Sequence, residues 1–358
     1  VVGGRRGSLL QTGGGLSMAL RHTSQLLPGL RAFITGEIDQ RGARIEVRIP
    51  PHQMAEAIDL GRFNPSASGF QATAKVSGHA GLIIGGNGPQ GAGRLKISHG
   101  RVHQDERSLV LDGIDMAVQI NDLLQLKSAP QQRLRIGQLA LGNLRADHLA
   151  VDFQIEDAQT LFIEKAGINW SQGRINSSAL RLNTGRADYD LTLFCDRLNL
   201  AQVLKQLGAA EASGDGTVNG RIPIRWTDGR LVFDNGFLFS TPGQTGVIQL
   251  SGTQALLSGL PPGSPQYTQL DIATEALKDY SYQWAKLNLQ SEADNLLLKL
   301  QFDGKPNRLL PFAYDQSLGQ FKRVAGAGQA DFKGISIDLN FRSPLNDIIH
   351  YKDLFNQQ

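Results

Sequence analysis

The eight residues LAVDFQIE, at positions 149–156, decide the fold because their apolar side chains fall at every second position. Leu149, Val151, Phe153 and Ile155 therefore share one face of an extended strand, and the polar side chains face the other way. The same period of two recurs at residues 191–193, 231–233, 237–239, 296–302 and 335–341. About twenty such segments predict an all-β chain with each sheet apolar on one face.

Turn signals separate these strands. Most of the 41 glycines sit in short turn contexts, such as Thr227-Asp228-Gly229 and Asp234-Asn235-Gly236. Asp-Gly and Asn-Gly accept the positive φ of tight turns, so both stretches are predicted to be hairpin turns.

Helices are predicted to be few and short, each from an apolar stripe between a start and a stop signal. The four predicted helices are Met54–Leu60 after Pro50-Pro51, Leu200–Leu207 capped by Asn199 and ended by Gly208, a segment carrying Leu270, Ala273 and Leu277, and a C-terminal helix capped by Ser343 with Pro344 at its first position and Leu345, Ile348 and Ile349 as its stripe.

A repeated order of predicted elements, which we call the internal echo, predicts that the chain contains two repeated units. The order strand, short helix, Gly-rich strand and strand from Ile45 to Val102 recurs from Leu191 to Phe239. On this basis residues 1–130 form a first β-groove unit and residues 131–260 a second one. Residues 261–358 supply a helix and strands that close the groove end.

Composition and motifs exclude several classes of function. The 358 residues carry a formal charge of +3 with Lys and Arg spread along the chain, so no nucleic-acid footprint is visible. Gly86-Asn87-Gly88-Pro89-Gln90-Gly91 has the dinucleotide spacing, but a strand follows it and no helix N-terminus is available for a pyrophosphate. The single Cys195 is predicted to be a buried apolar residue. No catalytic, metal or cofactor site is expected.

The apolar face of the sheet is then the candidate functional feature. A sheet of about twenty strands, at about 4.8 Å each, is too long for a few short helices to cover. Either the sheet curls and packs shut, or it forms a trough that holds an apolar ligand such as acyl chains. The pattern leaves both open: a lipid conduit, or a structural array with a sealed core that binds proteins by strand addition. A β-solenoid enzyme acting on glycans is a third hypothesis.

The C-terminal half resembles a known family. The ordered segments GDGTVNGRIPI (214–224), EALKDYSY (275–282), LQFDGKPN (300–307) and IDLNFRSPL (337–345) resemble the C-terminal region of YdbH proteins. These are relatives of TamB and AsmA in Gram-negative bacteria. The resemblance covers roughly residues 135–350, and residues 1–130 join it only through the internal echo.

The resemblance implies a fold and a function. The expected fold is all-β with a few short helices: an elongated, curved antiparallel sheet that forms a taco-like hydrophobic groove. The expected function is a periplasmic conduit that binds phospholipid acyl chains and carries lipid between the inner and outer membranes, without enzyme activity. A YnbE-like outer-membrane lipoprotein would add a strand at the C-terminal end. An N-terminal helix upstream of Val1 would anchor the full-length protein in the inner membrane.

The alternating strand positions then become candidate lining residues, chosen by their hydrophobicity. The predicted groove-lining residues are Leu139, Leu141, Leu149, Val151, Phe153, Ile155, Leu191, Leu193, Val218, Ile222, Ile224, Leu231, Phe233, Phe237, Phe239, Ile248, Leu250, Leu298, Leu300, Phe302, Ile335, Ile337 and Leu339. The sequence does not indicate which strand positions line the groove in residues 1–130.

Overall fold

The chain forms one large antiparallel sheet. The computed structural model describes residues 5–12, 15–106, 108–186, 188–227, 230–253, 257–317, 319–325 and 329–344. Strands make up 66% of the structure, which confirms the predicted all-β class. Among the described residues, 23 strands join a single sheet and two more form a separate hairpin.

Most strands are longer than the five or six residues usual in globular proteins. The strands are β1 (Arg5–Thr12), β2 (Gly15–Thr23), β3 (Arg31–Asp39), β4 (Gly42–Gln53), β5 (Ile58–Asp59), β6 (Gln71–Gly85), β7 (Gly88–Gln104), β8 (Leu109–Asp122), β9 (Lys127–Ser128), β10 (Gln132–Leu141), β11 (Leu144–Ile155), β12 (Thr160–Trp170), β13 (Gly173–Ser177), β14 (Leu180–Asn183), β15 (Tyr189–Asn199), β16 (Glu211–Gly214), β17 (Thr217–Thr227), β18 (Arg230–Phe233), β19 (Gly236–Ser240), β20 (Gly246–Ser251), β21 (Tyr280–Glu292), β22 (Asn295–Pro306), β23 (Phe312–Asp315), β24 (Gln320–Arg323) and β25 (Ile335–Pro344). The helices are α1 (Leu200–Gln206) and α2 (Pro265–Ala276), with 3₁₀ turns at Leu60–Arg62 and Pro65–Ala67.

The strands follow one another as an antiparallel meander. From β1 the ladder runs through β2, β3, β4, β6, β7, β8, β10, β11 and β12. It continues through β13 to β15, β17, β19, β21, β22 and β25. Among the described strands, β1 does not pair with β25, so the sheet is open.

Irregularities in the ladder bend the strands. Register shifts occur between Ile49 and His52, between Ile97 and Gly100, and between Asp147 and Ala150. His99 and His148, inside two of these shifts, have φ of 51°. Such bulges bend a strand and increase its twist. Their recurrence on strands along the sheet is consistent with the predicted curvature.

Two of the predicted helices are confirmed. The Asn199 side chain accepts a hydrogen bond from the backbone N–H of Gln202 at 2.9 Å, and Gly208, with φ of +68°, follows the end of α1. In α2 the cap is Ser264, whose hydroxyl accepts from Tyr267 N–H, and Pro265 occupies the first turn. Both helices begin where a side-chain oxygen satisfies a free N–H group.

The predicted helix at Met54–Leu60 is wrong. The chain stays extended through Gln53, Met54 N–H bonds to Ala74 O at 3.0 Å, and Ile58 lies in β5 opposite Ala72. Met54 and Ile58 are both buried in a small cluster with Ala74. Met54 and Ile58 are therefore buried in extended chain next to β6 and not on one face of a helix. The predicted first repeat consequently lacks its helix. The two repeated units are not confirmed.

The predicted cap at Ser343 is also wrong. Ser343 is buried in β25 opposite Leu296, and Pro344 pairs with Asn295 at the sheet edge. The remaining stripe of that predicted helix, Leu345, Ile348 and Ile349, lies outside the described residues.

The two predicted turns have different outcomes. Thr227 and Arg230 pair across a hairpin, and residues 228–229 between them lie outside the described residues. Asp234–Gly236 is not a hairpin, because β18 and β19 on either side of it both pair with β17 in the same direction. Asn235, with φ of 53°, interrupts one continuing strand.

Candidate functional site

The sheet has two faces of opposite character. Directly paired residues lie on the same face, so the ladder register carries one face from strand to strand. Leu20 pairs with Ile34, Ile34 with Val47 and Val47 with Ala80. At the other end of the sheet Leu238 pairs with Leu287, which pairs with Leu300, which pairs with Leu339. We call this apolar side the inner face and the opposite side the outer face.

The inner face is free of charged side chains. From Leu16, opposite Ile38, to Leu298, opposite Phe341, its paired positions hold no Asp, Glu, Lys or Arg among the described residues, the short β8–β9 hairpin aside. Because an unpaired charge against an apolar ligand is costly, this composition suits acyl chains.

The outer face carries the charges, several of them in cross-strand ion pairs. Arg133 donates to Asp152 at 2.5 Å, and Arg181 pairs with Glu156 at 2.9 Å. The hydrogen bond from Arg133 holds the pKa of Asp152 below its ordinary value. Arg225 contacts Asp190 and Asp234, each at 3.1 Å. Such exposed pairs contribute little stability, but they mark this face as the solvated one.

Burial divides the inner face into two sections. Over β2–β12, which we call the open section, most of its apolar side chains are half-buried, and Ile38 and Ile84 are 53% and 43% exposed. Over β15–β25, which we call the sealed section, Leu238, Leu287 and Leu300 are 0% exposed. The open section therefore offers apolar surface to a ligand, and the sealed section is a packed core.

The two helices lie in the sealed section. Leu200, Val203 and Leu204 of α1 are buried in its core, as are Ala276 at the end of α2 and Leu277 just after it. Aromatic rings fill the space between the strands: Tyr282 packs against Phe302 with centroids 5.3 Å apart. Cys195 lies in the same core, and burial raises the pKa of its thiol to about 12, as expected of a structural residue.

An ion-pair cluster links α2 to the strands and loops after β22. Arg323 of β24 donates to Asp271 at 2.5 Å and to Glu275 at 3.3 Å, and Arg308 donates to Glu275 at 2.7 Å. Burial acts to raise the pKa of Glu275, but Lys278, Arg323 and Arg308 outweigh it and the pKa falls below its ordinary value. The cluster therefore fixes α2 against the strands only while its carboxylates are ionised.

The structure distributes the predicted lining residues over three environments. Six lie on the inner face of the open section: Leu139, Leu141, Leu149, Val151, Phe153 and Ile155. The sealed section holds fifteen: six are half-buried (Leu191, Leu193, Ile224, Leu231, Phe233 and Ile335) and nine are buried (Val218, Ile222, Ile248, Leu250, Leu298, Leu300, Phe302, Ile337 and Leu339).

Phe237 and Phe239 lie on the outer face, contrary to the expectation that they line the groove. They pair with Asn288 and Lys286, while the intervening Leu238 faces the core. Their rings stack on each other with centroids 5.6 Å apart. Phe237 and Phe239 do alternate with the period of a strand. They lie on the outer face because Leu238, between them, pairs with Leu287 on the inner face.

The inner face of β2–β8 is the part that the sequence did not assign. Register places Ile34, Ile45, Val47, Leu82 and Met116 there. The alternation of Ile45 and Val47 is visible in the sequence, but in β6 and β7 the inner positions include Gly78, Ala80 and Gly93, which blur the pattern.

Neither metal chemistry nor a membrane-crossing helix is found in the part of the chain that the structure describes. It contains no group of three or more His, Cys, Asp or Glu side chains placed to hold a metal ion. None of its helices has the length and apolar character needed to cross a membrane.

The described residues thus form a long open sheet with one uncharged apolar face and one charged face, and the apolar face is an extended surface instead of a closed pocket. The chain belongs to the YdbH-like family, described as intermembrane phospholipid transport protein YdbH, which it matches over residues 25–309. Neither the curated proteins nor the solved structures contain a match.

The family match extends the resemblance seen in the sequence. It includes most of the first 130 residues, which had matched only through the internal echo, and it ends before the segment at residues 337–345. Membership implies intermembrane phospholipid transport and a place between two membranes, and the family is defined by transport and not by catalysis.

Proposed function

We propose that the inner face of the open section binds the acyl chains of phospholipids and guides them between the inner and outer membranes. The observation that carries this proposal is the burial contrast along one uncharged face. Most apolar side chains of this face from Leu16 to Trp170 stay half-buried or exposed, with Val118, Ile136 and Phe153 among the buried exceptions. Over β15–β25 the equivalent face instead holds most of its apolar side chains in a packed core. Head groups would stay at the open edge of the trough, in water.

The energetics favour acyl chains as the ligand. Each buried methylene contributes about 0.8 kcal/mol, so a sixteen-carbon chain gains on the order of 10 kcal/mol. The nine strands β2, β3, β4, β6, β7, β8, β10, β11 and β12 span about 40 Å at about 4.8 Å each. One leaflet of a bilayer is about 15 Å deep in hydrocarbon, so the open section is long enough for more than one lipid in succession.

The sealed section has a different role in this proposal. Its nine buried predicted lining residues pack against each other and against the helices, so they stabilise the end of the trough and do not line a lipid path. The short helices brace this end by filling it.

The edge strand β25 offers a place for a protein partner. Strand β25 pairs with β22 and has no second neighbour among the described strands, which supports strand addition there by a YnbE-like lipoprotein. The periplasm, with an inner-membrane anchor on the full-length protein, is the location that the resemblance implies. Binding of a partner protein by strand addition at this edge would be a second function, carried by the sealed section.

The experiment compares two neighbouring residues of β11 that receive the same substitution. Val151 lies on the inner face opposite Leu134, and Ala150 lies on the outer face opposite Arg135. We expect gentle purification of the chain to recover phospholipid, measured by mass spectrometry. Val151→Asp should reduce the recovered lipid about tenfold, and Ala150→Asp should leave it unchanged. Equal loss in both variants, or no lipid in the native chain, would contradict the proposal.

A further inference from the structure

The outer face of the open section contains a cleft that the proposed function does not use. Two adjoining concavities of about 710 and 760 Å³ share Glu46 and His79. We call them together the outer cleft and define it by Arg44, Glu46, Arg48, His79, Gly81 and Arg94. It lies on the opposite side of the sheet from the acyl-binding face.

Strand register builds this cleft from residues far apart in sequence. Arg48 of β4 lies directly opposite His79 of β6, and His79 lies directly opposite Arg94 of β7. Gly81, two residues along β6 from His79, forms the floor: a Cβ added there meets nothing within 4 Å. The concavity therefore exists because one small residue lies beside a row of long cationic ones.

The three arginines of the cleft make no ion pair with a described side chain, although Glu46 lies in the same cleft. Glu37 lies directly opposite Arg44 in the ladder, but no described carboxylate oxygen lies within 4 Å of a guanidinium nitrogen of Arg44, Arg48 or Arg94. Arg94 donates to the amide oxygen of Gln119 at 3.4 Å. Elsewhere on this face Arg133 and Arg181 are each paired with an acid. An anionic ligand would supply the close ion pairs that these arginines do not make within the chain.

We infer that the outer cleft binds a phosphate ester. Arg48 and Arg94 would donate to its phosphate oxygens, since guanidinium groups match phosphate with parallel hydrogen bonds. Glu46, the acidic residue within the cleft, would accept from an ammonium or hydroxyl group on the same ligand. The ester is either a soluble molecule or a lipid head group at a membrane surface. The inference stands apart from the proposed function because it concerns the other face.

The test uses two sources of the same chemistry. The chain is titrated with inorganic phosphate and with phosphoethanolamine by calorimetry at physiological salt, and it is floated with vesicles of phosphatidylethanolamine and phosphatidylglycerol. Saturable phosphoethanolamine binding, tighter than that of phosphate, supports a soluble ester. Flotation without binding of the soluble probe supports a head group. Absence of both would overturn the inference.

Three variants separate a built site from diffuse charge attraction. Arg48→Gln removes a charge, and we expect about a tenfold loss of affinity because a hydrogen bond to a charged group is lost. Gly81→Val fills the floor without changing charge, into space where no atom is displaced, and should abolish binding while the fold is retained. Lys75→Gln, on the same face of β6 outside the cleft, is the control and should bind normally. Unchanged binding in both Arg48→Gln and Gly81→Val would contradict the inference.

Discussion

Tyr280 and Tyr282 lie two residues apart in β21 and both are buried, yet their hydroxyl groups are treated differently. The Tyr280 hydroxyl donates to the backbone carbonyl of Ile335, whereas the Tyr282 hydroxyl has no hydrogen-bond partner. Burial raises the pKa of both phenols far above the ordinary value, so both stay neutral. The pair separates the contribution of the ring from that of the hydroxyl.

We predict opposite effects from the same substitution at these two positions. Tyr280→Phe leaves the Ile335 carbonyl unpaired and should lower the free energy of unfolding by about 1 kcal/mol. Tyr282→Phe removes a buried polar atom without a partner and should leave stability unchanged or raise it. Urea unfolding of both variants measures the difference, and equal destabilisation would show that Tyr282 has a partner in solution.

At the residue scale, the sequence predicted environment better than orientation. Burial of Cys195 follows from the apolar residues around it, and this prediction is confirmed. The side on which Phe237 and Phe239 lie could not be predicted, because Gly236, Leu238 and Ser240 offer an equally regular alternate set. Only the pairing of Leu238 with Leu287 decides between the two.

Among the elements, α2 depends on charge as well as on apolar packing. The side chains of Asp271 and Glu275 in α2 are almost fully buried. Both form ion pairs with Arg323, whose own side chain is half-exposed. Removing one partner of such a cluster leaves carboxylates in a dry environment without compensation.

Arg323→Gln should therefore lower the free energy of unfolding by about 1–2 kcal/mol, less than a fully buried pair because Arg323 is partly solvated. The folded pKa of Glu275 is below its ordinary value, so its contribution is present above the unfolded pKa and is lost as pH falls through the folded pKa. Thermal unfolding from neutral to acidic pH should show the difference between native and variant shrinking as pH falls. Lys333→Gln, which breaks an exposed pair with Asp331, is the control and should have no effect.

The prediction of elements succeeded or failed according to what surrounds each local signal. Ser264-Pro265 caps α2, but Ser343-Pro344, the same pair of residues, ends a strand. The second pair follows the alternation of residues 335–341, which pairs with β22 along its whole length. Met54 and Ile58 are both buried, as their four-residue spacing predicted, but they lie in extended chain and not in a helix. Local signals cannot reveal which long-range ladder will form.

For the whole molecule, the sequence predicted an all-β sheet with one apolar face, and the structure confirms this class. Alternation along single strands carries that information. It could not show that the face is open over β2–β12 and sealed over β15–β25, because similar Leu, Ile and Val residues occupy both sections. Nor could it bring Arg48, His79 and Arg94 together, since scattered basic residues become neighbours only through strand register.

The proposed function requires lipid to lie on the inner face of the open section. The most direct measurement is a photocrosslinking scan of β11, with a photoreactive amino acid placed in turn at each position from Leu149 to Ile155, followed by mass spectrometry for phospholipid adducts. We predict adducts at Leu149, Val151, Phe153 and Ile155, none at the three positions between them, and none at Leu300 in the sealed section. Adducts at both alternating sets, or adducts confined to Leu300, would contradict it.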